Sequence, residues 1–289
     1  MSQITRRNML LGGLALPGIP GAMMQNTSGT GRPLVPKRFE ETVGFEIAGV
    51  VASHPLAILP LGSLEFHGAH NPLGVDSIII SGVAENVAAR VNGLLFPTIK
   101  FTQCPAQTAH FQGTISMRPE VMTMYFADVL RNILHIGFRK IFVLNGHDGN
   151  IGPGRGATSQ LADEVPDSAI QFVNWWEFLP GEMMVKLGMF HQGNGGHGHG
   201  GPLETSAVAA FRPDLVHLDK SRDLPQPPDL SGGPPYFLQK STAKDWPGYS
   251  GHVSEASEEK GKKLVQISED GIVKFIENWL NNLDAPGSW

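Results

Sequence analysis

The chain has 289 residues, 41 % of them hydrophobic, enough for one large domain or two small ones with a sizeable core. A formal net charge of −5 without a basic stripe argues against nucleic acid as a partner. The single cysteine, Cys104, excludes an internal disulfide and a cysteine-rich zinc site, while 35 glycines and 22 prolines place much of the chain in loops.

At the N-terminus, Thr5-Arg6-Arg7-Asn8-Met9-Leu10-Leu11 precedes an apolar, Gly-rich run to Met24. A paired arginine before a short apolar segment has the form of a twin-arginine export signal; the competing reading is a basic tail. The run is too short and too rich in Gly and Pro for a stable membrane span. Residues 1–36 are therefore expected to be export signal and linker, and residues 37–289 the folded domain, periplasmic or otherwise exported by that route. Folding and metal loading before export fit a chain without disulfides.

From residue 39 onward helix and strand alternate. Residues 39–51 read as a helix, with Phe39, Val43, Ile47 and Val50 at helical spacing, and residues 56–61 as a short buried strand. A helix over 77–91, a strand over 94–99 and a loop or extended segment over 104–110 follow. Residues 117–136 form a strong helix, with Val121, Met124, Tyr125, Val129, Ile133 and Ile136 on one face and Gly137 ending it. Lys140-Ile141-Phe142-Val143-Leu144 is nearly unbroken in its apolar character, as in a central parallel strand buried on both faces. Helix over 154–165, strand over 170–173 and a short helix over 204–211 continue the alternation. Residues 224–249 read as a Pro- and Gly-rich surface excursion whose Trp246 and Tyr249 offer a contact surface. A closing helix spans 254–283, with possible breaks at Gly261 and Gly271. The alternation predicts an α/β fold with a largely parallel central sheet.

Three loops concentrate the chemistry. The first, after the strand over 56–61, holds Glu65, His67, His70 and Asp76. Chemistry in α/β proteins sits at the carboxyl ends of strands, and mixed oxygen and nitrogen donors suit Zn, Mn or Fe rather than Mg or Ca. The bland alternative is a polar loop with Asp76 as a helix N-cap. The second loop, Asn145-Gly146-His147-Asp148-Gly149-Asn150, leaves the buried strand and aims His147 at the same crevice; Asp148 is a weaker candidate by type. The third runs from Gly195 to Ser206 and carries His197, His199 and Glu204 among glycines that make it mobile. It could equally be a low-complexity surface loop, and Glu204 a helix-start acid.

Together these loops resemble the creatininase (creatinine amidohydrolase) family. The residues that carry the likeness are Leu59-Pro60-Leu61-Gly62-Ser63-Leu64-Glu65-Phe66-His67-Gly68-Ala69-His70 with Asp76, then Asn145 to Asn150, then His199-Gly200-Gly201-Pro202-Leu203-Glu204-Thr205-Ser206. Gly113-Thr114-Ile115-Ser116 and the stretch 251–261 add to it, and the resemblance spans roughly residues 39–283.

The resemblance implies a three-layer α/β/α domain with two divalent metal ions, Zn, Mn or Fe. It implies that Glu65, Asp76 and His147 bind one ion, and that His67 and a bridging Asp76 bind the second. Creatinine-hydrolysing members carry a further Glu where this chain has Gly149, so Glu204 is the candidate to complete the second position. His199 matches the family's catalytic histidine, and His70 a histidine that supports the ligands without binding metal. The implied reaction is hydrolysis of a non-peptide or cyclic C–N amide bond of a small molecule by a metal-activated water, in a homo-oligomer. Asp148 stands where an aromatic is expected, Gly195 where a Trp is, and His110-Phe111-Gln112-Gly113 departs from the family's His-x-x-Phe-Pro-Gly, so creatinine is not the leading substrate. A peptidase or peptide-maturation factor on the same centre, and a non-catalytic periplasmic binding protein, are the rival readings.

Overall fold

The computed structural model describes residues 35–161, 164–165, 167–189, 198–225 and 244–283. The expected export signal and most of the expected linker lie outside these residues. Among the described residues no helix is long and apolar enough to cross a membrane.

Five strands form one sheet: β1 (Lys37–Arg38), β2 (Leu56–Leu61), β3 (Leu94–Leu95), β4 (Lys140–Asn145) and β5 (Ala169–Asn174). Their spatial order is β1-β3-β2-β4-β5 and every pairing is parallel. The helices are α1 (Ile47–Ser53), α2 (Val75–Arg90), α3 (Ala106–Ala109), α4 (Pro119–Ile136), α5 (Ile151–Leu161), α6 (Gly181–Lys186), α7 (Pro202–Phe211) and α8 (Glu258–Asn282).

The two central strands, β2 and β4, alternate cleanly between two cores, as the two-residue period of a strand requires. Leu56 and Ile58 of β2 join Phe142 and Leu144 of β4 against α2, α7 and α8. Ala57, Leu59, Leu61, Ile141 and Val143 face the other way, against α4 and α5 with Val50 of α1. Helices thus cover both faces, and the three-layer α/β/α expectation holds.

Pro60 lies inside a central strand, where a missing N–H is normally costly. Its carbonyl accepts from Ile99 N at 3.0 Å, so the residue points toward the β3 side. There the regular ladder with β3 has already ended at Leu95.

Several boundaries differ from the sequence expectation. The helix expected over 39–51 begins only at Ile47; before it the chain makes two 3-10 turns, and Phe45 is 87 % exposed. The strand expected over 94–99 keeps its ladder only at Leu94–Leu95, with a single further bridge from Ile99 to Leu61. The segment 104–110 contains a helical turn, α3. On α4 the buried stripe is Met122, Phe126, Leu130, Ile133 and Leu134, whereas Met124 is 66 % exposed. This helix is apolar on more than one face, so periodicity alone did not choose the stripe that packs.

Residues 226–243 of the expected surface excursion lie outside the described set. Its end turns inward rather than out: Tyr249 is buried, accepting from Arg222 N and donating to Arg222 O, both at 3.0 Å. Trp246 is half-buried against Phe111 and His199.

The closing helix α8 is unbroken at both glycines. Ser257 caps it, accepting from Lys260 N at 3.2 Å. Gly261 is present because α7 crosses there: a Cβ at this position would stand 1.8 Å from Ser206 O. At Gly271 a Cβ would meet only the Phe178 side chain, at 3.0 Å or more. Gly261→Ala is therefore expected to lower stability by about 1–3 kcal/mol through overpacking. Gly271→Ala should be near neutral, because the roughly 1 kcal/mol gained in helix propensity offsets the crowding. Urea unfolding midpoints of the two variants check this; equal midpoints would refute the packing role of Gly261.

Candidate metal centre

The carboxyl ends of β2 and β4 lie side by side at the centre of the sheet, and α2 starts directly across them. Two glycines permit that approach. A Cβ at Gly62 would lie 2.4 Å from Ser77 Oγ, and one at Gly146 would lie 2.9 Å from Asp76 O. Ser77 Oγ donates to Ser63 O at 2.6 Å, and Ser63 Oγ donates to Asp76 Oδ2 at 2.6 Å. Asp76 is the second residue of α2 rather than its N-cap, which is Gly74.

Glu65, His67, Asp76 and His147 are all buried, and their polar atoms converge. His147 Nδ1 is 2.9 Å from Asp76 Oδ2 and 3.2 Å from Glu65 Oε2. His67 Nε2 is 3.2 Å from Asp76 Oδ1, 3.6 Å from Glu204 Oε2 and 4.0 Å from Glu65 Oε2. Asp76 thus presents one oxygen to each histidine. Glu204, in the first turn of α7, also accepts from Gly200 N at 2.7 Å.

The tautomers follow from the opposite nitrogens. His67 Nδ1–H donates to Glu65 O at 3.0 Å, His147 Nε2–H to Gln103 O at 2.9 Å and His199 Nε2–H to Phe66 O at 2.7 Å. Each ring is tied to a backbone carbonyl on one side and turns its other nitrogen toward the carboxylates. His67 Nε2 is buried without a hydrogen-bond partner, and His199 Nδ1 stands 3.9 Å from Glu65 Oε2. A backbone carbonyl behind a ligating imidazole is the arrangement that orients histidines on metals.

The electrostatics express the same crowding. Burial lowers His67, but Asp76, Glu204 and Glu65 outweigh it and hold the imidazole up at about 10. His147 is likewise raised well above its ordinary value, with Glu65 and Asp76 overcoming burial. Burial would raise Asp76, yet the facing histidines hold it well below the usual carboxylate range. Burial pushes Glu65 up, and Glu204 up to about 7. His199 is pushed down to about 3, by burial first and by the nearby His67 second. Three carboxylates thus share one buried space, and among the described residues no lysine or arginine pairs with any of them. Divalent cations fit that donor set.

The other candidates fall outside this convergence. His70 is buried, but its Nε2 lies 3.1 Å from Gly200 O and 3.2 Å from Thr205 Oγ1, so it braces the loop behind His199. Asp148 is exposed on a 3-10 turn. His197 and Gly195 lie outside the described residues. At Gly149 a Cβ would be 2.4 Å from Gln103 O and 2.5 Å from His147 Nε2, so no side chain fits there without a shift.

Sequence reasoning gave no role to three residues at this centre. Thr108 Oγ1 donates to Glu65 Oε1 and fixes that carboxylate. Asn145 donates to His147 O at 2.7 Å and to Asn174 Oδ1 at 2.8 Å, which sets the exit of β4. Cys104 brings its Sγ within 4.8 Å of donor atoms on Glu65 and His147, which are themselves that close to one another. The Asn in Asn145-Gly146-His147 was visible as a strand-end polar residue; Thr108 and Cys104 carried no local signal.

A family model described as creatininase (creatinine amidohydrolase) matches residues 40–276. The creatinine amidohydrolase of Pseudomonas putida is 29 % identical over 242 residues, covering 79 % of this chain and 91 % of that protein. The mycofactocin precursor peptide peptidase of Mycobacterium ulcerans is also 29 % identical, over 80 % of this chain and 88 % of its own. A solved manganese creatininase matches with a TM-score of 0.72 at 28 % identity, over 84 % of this chain and 98 % of that one. A mutant creatininase of Zn–Zn type matches with 0.71 at 27 % identity, over 83 % and 97 %.

Proposed function

This chain belongs to the creatininase family, and from that premise we propose that it hydrolyses a small non-peptide or cyclic amide. Glu65, Asp76 and His147 would hold one divalent ion, and His67, Asp76 and Glu204 the other. The observation that carries the assignment is the set of imidazoles tied by backbone carbonyls with their other nitrogens turned onto the carboxylates of Glu65, Asp76 and Glu204. The protein is a metal-dependent hydrolase of C–N bonds, and the solved relatives contain Zn–Zn or Mn. Ions in such a centre supply Lewis acidity toward the carbonyl and a water acidic enough to attack near neutral pH.

The chain's own residues do the rest. Asp76 faces both positions and keeps them in register. Ser63 and Thr108 hold Asp76 and Glu65 in place by hydrogen bonds. Because Phe66 O takes the Nε2 proton of His199, the neutral ring has its lone pair on Nδ1, facing the centre. His199 is thereby placed to take a proton at Nδ1 during attack and to return it to the leaving nitrogen. A non-catalytic binding protein has no need of this combination.

Creatinine remains a poor first choice. Gly149 leaves no room for the carboxylate that creatinine-hydrolysing members carry there, and Asp148 points outward where they have an aromatic. Formamide-type amides and lactams come first. A second reading, cleavage of a peptide bond, is favoured by the M. ulcerans relative, as similar to this chain as the creatinine amidohydrolase is. Metal-loaded protein assayed against small lactams, formamides and short peptides separates them: turnover confined to peptides would overturn the first.

Two further parts of the proposal concern the whole protein. Arg6 and Arg7 direct twin-arginine export to the periplasm. The Arg6→Lys/Arg7→Lys double variant should stay in the cytoplasm, and unchanged delivery in a fractionation assay would refute this. The chain is a homo-oligomer, supported by exposed Phe45 at 87 % and Met124 at 66 %. Light scattering at micromolar concentration should give more than the monomer mass.

The roles of the histidines separate by paired measurement. His147→Ala should lose metal and activity together. His199→Ala should keep its metal but lose roughly 10²–10⁴-fold in turnover, the usual worth of one acid–base group. Loss of metal from His199→Ala would make it a ligand instead.

A further inference from the structure

We propose that Cys104 is a sulfur donor to the Glu65–His147 metal position, so that this chain selects zinc, or another thiophilic ion, over manganese there. The inference rests on the metal-dependent reading above and extends it to the identity of the ion.

The segment that carries Cys104 is pinned against the centre from both sides. Thr102 Oγ1 donates to Gly62 O at 2.9 Å, at the exit of β2. Ser116 Oγ accepts from Cys104 N at 2.9 Å and donates to Cys104 O at 2.9 Å. Between them, Gln103 O receives the Nε2 proton of His147. Residue 103 thus orients the imidazole through its carbonyl, and residue 104 follows directly with its thiol on the carboxylate side.

Cys104 Sγ, a Glu65 carboxylate oxygen and a His147 ring nitrogen all lie within 4.8 Å of one another. Around a tetrahedral zinc, with bonds of about 2.0–2.3 Å, donors sit about 3.5 Å apart. Small side-chain rotations close that gap. The thiol's backbone contacts are long, Ile115 O at 3.8 Å and Leu64 O at 4.0 Å, and its side-chain partner is the His147 ring itself. His67 Nε2, buried and without a hydrogen-bond partner, faces Asp76 Oδ1 at 3.2 Å in the adjoining donor group of His67, Asp76 and Glu204.

A buried cysteine is usually just a small apolar filler. That account fits poorly beside two ionisable groups that face a common point. A thiolate changes the selectivity of the position, since soft sulfur favours zinc, cobalt or iron, whereas carboxylate and water suit manganese. On loading, the thiol proton and any proton on His147 Nδ1 leave to solvent as metal–sulfur and metal–nitrogen bonds form, with no change of oxidation state.

The test needs no variant at first. The zinc-loaded full-length protein should show, by zinc-edge X-ray absorption, a sulfur shell at about 2.3 Å beside the nitrogen and oxygen shell. A first shell of nitrogen and oxygen alone, at full zinc occupancy, overturns the inference while leaving the hydrolase reading intact. Absence of any stoichiometric metal overturns both. As a second measurement, cobalt-loaded protein should show an intense near-ultraviolet sulfur-to-cobalt charge-transfer band that Cys104→Ser lacks. In competitive dialysis Cys104→Ser should shift retention from zinc toward manganese on the order of tenfold, the scale of one coordinating or orienting group. An unchanged zinc-to-manganese ratio counts against the proposal.

Discussion

Two buried carboxylates, a half-buried third and three imidazoles converge on a space that no lysine or arginine side chain neutralises among the described residues, and the rest of the structure depends on that constraint. Burying unpaired carboxylates costs several kcal/mol each unless a cation or a proton compensates. The imidazoles answer this electrostatically: the facing carboxylates hold His67 up at about 10 and raise His147 well above its ordinary value. Divalent ions would take the place of such protons, and the backbone carbonyls behind the rings fix their orientation beforehand.

The fold is arranged to deliver this cluster. Parallel strands end on the same side of a sheet, so β2 and β4, as central neighbours, bring two loops to one point without long excursions. The third contribution is α2, whose start crosses both strand ends because Gly62 and Gly146 leave no Cβ in its way. The fourth is α7, whose first turn carries Glu204. Four elements scattered over 140 residues of sequence thus meet in a rigid frame, while His199 comes from the glycine-rich segment just before α7 and is braced by His70, Thr205 and Ser250. The division suits a centre whose ligands must stay fixed while a proton-transfer group engages the substrate.

Departures from the creatinine-hydrolysing pattern have a steric logic. Gly149 packs its backbone against His147 and Gln103, while Glu204 brings a carboxylate to within 3.6 Å of His67 Nε2 from the other side. A half-buried Trp246 stands against His199 and Phe111, where the sequence reading had set it on an outer contact surface.

The sequence by itself determined the largely parallel α/β sheet and the donor inventory. A short, nearly unbroken apolar run such as 140–144 reads as a strand covered on both faces, and Glu65, His67, Asp76 and His147 sit at strand and helix ends where α/β chemistry collects. Tertiary structure alone decided the rest. Periodicity reports which residues share a face but not which face is covered, so the buried stripe of α4 and the unbroken course of α8 past Gly261 depended on neighbours far away in sequence. The tautomers of the histidines depended on carbonyls of residues 65, 66 and 103, and a carbonyl leaves no mark in a sequence because every residue has one. Cys104 was a lone thiol in the chain and became a neighbour of Glu65 and His147 only when a loop pinned to Gly62 and Ser116 closed over the ends of the central strands.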